Sequence, residues 1–100
     1  MVKDKTMLKK IFRKKEAIVT REIAQETILV PIKGKLADMQ KIFMLNPVAK
    51  CIWQHLDGKR NLAEIRDRII LDFDINNKQV NRDIKEFVAQ LVQAGLVEEK

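Results

Sequence analysis

The groups most able to do chemistry in this 100-residue chain are Cys51 and His55, its one cysteine and its one histidine. They stand four residues apart in a stretch patterned as a helix, so one face can bring thiol and imidazole together. A thiolate nucleophile needs such a base beside it. The neighbours favour a structural reading. Cys51 borders the apolar stripe Val48, Ala49, Ile52, Trp53 and Leu56, where a cysteine packs as a small apolar group. His55 falls in the last turn, where partial positive charge suits the helix dipole. One cysteine and one histidine cannot supply the four ligands of a structural zinc site. The three glycines, Gly34, Gly58 and Gly95, are too scattered for a phosphate loop. The carboxylates lie on polar helix faces. The chain therefore reads as a protein without catalysis, metal or cofactor of its own.

Backbone pairing is the second kind of chemistry available. Residues 42–45, Ile42, Phe43, Met44 and Leu45, are apolar and uncharged. An edge strand presents a row of unpaired N–H and C=O groups and is normally blunted by charge. The first strand segment has such charges in Glu16, Arg21 and Glu22. The third has none. Either helices bury both of its faces, or a peptide adds beside it as a further strand. The residues alone leave both readings open.

The elements that would position these groups follow from pattern. Residues 16–22, 26–32 and 41–45 read as strands, with Ala24-Gln25 as a tight connection. Short connections favour an antiparallel meander with the second strand central. Asn46-Pro47 is a helix start, since Asn caps and Pro fits the first helical position. Asn61 with Glu64 resembles a capping box, and Asn76 with Gln79 starts a third helix that Gly95 ends. Leu62, Ile65, Ile69, Ile70 and Phe73 mark one apolar face; Val80, Ile84, Phe87, Val88, Leu91 and Val92 mark another. Trp53 and Phe87 read as core. The fold class is α+β, a three-stranded antiparallel sheet followed by three helices. Only three residues follow Val97, too few for a β-hairpin wing.

Net charge is +6, yet residues 1–15 hold seven basic residues against Asp4, and residues 16–100 hold 13 of each sign. The body is neutral, which argues against a DNA-reading face. Residues 1–13 read as a basic flexible tail. The alternative is a docking helix, because Met7, Leu8, Ile11 and Phe12 share a helical face. No apolar run is long enough to span a membrane, and no signal-peptide core is present. A cytoplasmic monomer is expected.

The stretch MLNPVAKCIWQHLDGKRNLAEIRDRI, residues 44–69, resembles the signature of the PqqD-like family. Leu45, Asn46, Ile52, Trp53, Leu56, Asp57, Gly58, Glu64 and Ile65 fit its positions. Asp83, Phe87, Leu91, Gly95 and Leu96 fit its closing pattern, and residues 19–23 fit its first strand. The resemblance covers about residues 16–98 and implies a winged-helix-like recognition element of ribosomally synthesised, modified peptides. Residues 14–100 would form that domain, without a C-terminal wing. Such a domain implies a non-catalytic chaperone that holds a precursor leader as an added strand and presents it to a modifying enzyme, often a radical SAM protein. The implied site lies between the third strand and third helix: Lys41, Ile42, Phe43 and Met44 on one side, Arg82, Ile84, Lys85 and Val88 on the other. Ile42, Met44, Ile84 and Val88 would give apolar contacts, Arg82 and Lys85 would pair with acidic leader residues, and Phe43 and Leu45 would lean toward the core. Residues 33–40 form a longer link than the family's usual one. The competing reading is a helix-turn-helix DNA-binding regulator, built on the second and third helices.

Overall fold

Three helices among the described residues begin where the sequence supplies an oxygen for their orphan amides. The computed structural model describes residues 7–15, 18–32 and 42–100. Helix α1 spans Pro47–His55, with the Asn46 side chain accepting from the Ala49 amide at 2.8 Å. Helix α2 spans Leu62–Asp72. Its capping box is complete: the Glu64 amide donates to Asn61 Oδ1 and the Asn61 amide donates to Glu64 Oε1, both at 2.8 Å. Helix α3 spans Asn77–Gln93, and Asn76 accepts from the Gln79 amide. It ends as expected at Gly95, whose φ of +79° suits a residue without Cβ. The Leu96 amide then donates to the Leu91 carbonyl, and the Gly95 amide to that of Val92, a Schellman closure.

Among the described residues six strands accompany the helices: β1 Ile11–Lys14, β2 Ile18–Ile23, β3 Glu26–Pro31, β4 Phe43–Leu45, β5 Asp57–Asn61 and β6 Val97–Glu99. Strands β2, β3 and β4 form the expected antiparallel sheet in that order, with β3 central. The β2–β3 turn holds Ala24 and Gln25 at φ +51° and +70°. Two consecutive positive values are what a two-residue hairpin requires. Inward residues Leu29, from β3, and Leu45, from β4, meet Ile52 of α1 and Leu56 at its C-cap, Ile65 and Ile69 of α2, and Ile84 and Val88 of α3 in one core.

A second three-stranded sheet, ordered β5-β1-β6, was not expected. Its middle strand comes from the segment read as a flexible tail. Within residues 1–13, Ile11–Arg13 belong to β1, Phe12 is 5% exposed, and Met7 and Leu8 pack against the core. Residues 1–6 lie outside the described residues. The tail expectation fails for residues 7–13 for a physical reason. As a lone helix the segment would order itself for little burial. As a strand between two others it gains hydrogen bonds along both edges, and Phe12 supplies the burial. Strand β6 follows α3 directly, so a single strand stands where no wing could be built. Gly58, in β5, has φ +78°, and a Cβ there would meet Arg13 Cβ at 3.3 Å. The β1–β5 approach is close at that point.

Candidate functional site

Strand β4 is the outer strand of its sheet, so one edge of its backbone carries no partner strand among the described residues. Successive strand residues point to opposite faces. Leu45 is buried, Phe43 half-buried, and Met44 64% exposed. A groove of about 390 Å³ touches all three of them. A cavity reached by both faces of a strand must run along its open edge. The floor comes from α1, through Val48, Ala49 and Ile52, with Ile75 beside them. The far wall is α3, through Gln79, Asp83, Glu86, Phe87 and Gln90. Two helices and a strand thus hold one trough, apolar on its floor and largely polar on its far wall, against an unpaired backbone.

The structure redistributes the eight expected site residues. Phe43 and Met44 line the groove. Ile42 stands just before β4, is 52% exposed and does not line the groove. Lys41 lies outside the described residues. Ile84 and Val88 were expected as apolar contacts, but both are 0% exposed. On α3 they fall on the face turned to the core, about 100° from the wall residues Asp83 and Phe87 at 3.6 residues per turn. Arg82 and Lys85 do not line the groove either. They line an adjoining hollow with Asn76, Lys78, Gln79 and Asn81. The sequence reading missed Asp83, Glu86 and Gln90 as wall residues and took Phe87 for core. The available signal was Phe87 at the edge of the apolar stripe, one step from Glu86.

The Cys51 and His55 geometry does not make a nucleophile. The thiol is buried, at 6% exposure, and its sulfur lies 3.7 Å from His55 Nδ1. That nitrogen is 2.7 Å from the Cys51 carbonyl oxygen, so it carries a proton and donates it to the backbone. Burial, reinforced by the Asp72 charge, pushes the thiol pKa up. Both effects oppose a thiolate. Trp53 is equally structural: it is 4% exposed, its indole N–H donates to Thr20 Oγ1 at 3.2 Å, and Lys14 Nζ sits 5.2 Å from the ring centre. Among the described residues no helix is long and apolar enough to cross a membrane.

Residues 26–97 match the family model described as coenzyme PQQ synthesis protein D. Two solved structures share the fold. TbiB1, in complex with the TbiA(beta) leader peptide, is 26% identical with a TM-score of 0.68; the match covers 86% of this chain and 94% of that one. A lasso peptide synthetase B1, complexed with the leader peptide, is 20% identical with a TM-score of 0.70, covering 87% and 96%. A search of curated proteins finds no match.

Proposed function

The chain belongs to the family of coenzyme PQQ synthesis protein D, and from that membership we propose that it is a non-catalytic peptide chaperone. It binds the leader of a ribosomally synthesised precursor and presents it to a modifying enzyme, a radical SAM protein or another of that role, in the cytoplasm. The observation that carries this reading is the groove along the open edge of β4, with an apolar floor and a helical wall. The leader would lie as a fourth strand beside β4. TbiB1, which shares the fold, is a complex with a leader peptide.

Magnitudes show how the two parts of the groove divide the work. Strand β4 has three residues, so it offers about two or three ladder bonds at about 1 kcal/mol net each. Association costs at least about 4 kcal/mol. Backbone pairing therefore sets direction and register, and side chains seated against Phe43, Ile75 and Phe87 supply the affinity. The competing DNA reading has less support, because α3 presents Asp83 and Glu86 on its groove face, and phosphate would be repelled there.

The test is titration calorimetry with synthetic leader peptides of candidate ribosomal precursors. Ile42→Pro removes an amide at the entry to β4 and resists strand geometry. It should abolish leader binding while the helical circular dichroism stays as in wild type. Undiminished affinity in a folded Ile42→Pro protein would move the site off β4. Binding to duplex DNA that falls steeply with salt would favour the regulator instead.

A further inference from the structure

The groove has a charge opposite to that of the chain. Net charge is +6 overall, yet the ionisable side chains that line the groove among the described residues are Asp83 and Glu86. Neither takes part in an ion pair with another described residue, although six such pairs form elsewhere. Asp83 is half-buried and Glu86 exposed. They stand three apart on α3, hence on one face, with Phe87 next to them and the open edge of β4 opposite. The wall is therefore an apolar anchor with two carboxylates beside it. The basic side chains Lys78 and Arg82 belong to the adjoining hollow.

Resting on the recognition reading above, we infer that this groove selects a peptide in which a lysine or arginine lies close to the apolar side chain seated against Phe87. The cation meets Asp83 and Glu86, and the strand backbone meets β4. This reverses the expectation that Arg82 and Lys85 would choose an acidic leader. Complementary charge at a partly solvated site acts mainly on specificity and wrong-partner rejection. Its signature is a preference among peptides together with a dependence on salt.

The experiment is selection of a displayed random-sequence peptide library on the intact 100-residue chain, followed by titration of the enriched peptides. The expected result is enrichment of extended apolar peptides with Lys or Arg near one apolar position. Changing that Lys or Arg to Gln should weaken binding about 3–10-fold. The preference should shrink between about 0.05 M and about 0.5 M salt. It should also vanish in Asp83→Asn/Glu86→Gln. Should the double variant melt early, Glu86→Gln alone, at an exposed position, gives the same comparison. Apolar enrichment with no cation preference, or with an acidic preference that Arg82→Gln removes, would overturn the inference and leave the recognition reading standing. Retention of no extended apolar peptide by the folded chain would overturn both.

Discussion

Trp53 and Phe87 differ in what covers them. Trp53 lies under β2, hydrogen-bonded to Thr20 and capped by Lys14. Phe87 has the core on one side and the groove on the other. Trp53→Ala should cost roughly 3–5 kcal/mol, as large-to-small changes in cores do. That is much of what a domain of this size holds, about 5–15 kcal/mol. Phe87→Ala should leave a cooperative melt and weaken the leader complex by about 10-fold or more, as loss of a central aromatic anchor does. Paired thermal melts and titrations separate the two outcomes. If Phe87→Ala binds as wild type, the wall of the site is not α3. Both aromatics sit on inward stripes of period 3.6, which is why the sequence reads them alike. Periodicity tells which way a side chain points. It does not tell whether another element closes over it, and at Phe87 none of the described elements does so completely.

At the scale of elements, the capped helices and the strands of the β2-β3-β4 sheet were legible, and the strands of the β5-β1-β6 sheet were not. Asn46, Asn61 and Asn76 each mark a helix start by their own chemistry, so three helices could be placed from three residues. Strand β5 reads Asp-Gly-Lys-Arg-Asn and contains no apolar residue. Strand β6 has three residues. Neither can show alternation, and both exist because β1 arrives between them. Pairing across 85 residues leaves no local trace. The β1–β6 edge also carries a titrating link. Arg13 donates to Glu98 through Nε at 3.0 Å and Nη2 at 2.7 Å. That hydrogen bond, with the Arg13 charge, holds the Glu98 carboxyl below its ordinary value near 4.5. A carboxylate whose folded pKa is depressed contributes stability above its ordinary value and loses it as pH falls through the folded one. Both partners are solvent-exposed, so the contribution is modest. Glu98→Gln should lower the melting temperature slightly near pH 6, and the gap to wild type should close as pH falls below about 4. A gap that persists unchanged at low pH would mean that the pair is not the cause.

For the whole molecule, the N-terminal segment decides where the domain begins. The sheet β5-β1-β6 joins residues from the start, middle and end of the chain. Its centre is β1, so removal of β1 leaves β5 and β6 without a shared partner. The links continue past the ladder: the Leu62 amide donates to the Lys10 carbonyl at 3.1 Å, Lys15 N–H to the Leu96 carbonyl at 2.9 Å, and the Lys100 amide to the Ile11 carbonyl at 2.8 Å. The first of these ties the N-terminal turn of α2 to the segment before β1. Composition obscured this, because β1 sits among lysines, and a cluster of like charge reads as a solvated tail. The fold tolerates the charge by pairing Arg13 with Glu98 and Lys10 with Glu99 across the ladder. Only Phe12 in β1 is fully committed to the core. Phe12→Ala should therefore destabilise by about 3–5 kcal/mol, although its neighbours in sequence look like a tail. Deletion of residues 1–14 should do more, since it removes that burial together with two ladders. The expected result is loss of a cooperative thermal transition, followed by circular dichroism at the helical band. The groove lies against the other sheet, so Phe12→Ala at a temperature where it stays folded should bind the leader as wild type does. A deleted chain that melts like the full one would return residues 1–14 to the status of a tail and leave β5 and β6 to be explained without them.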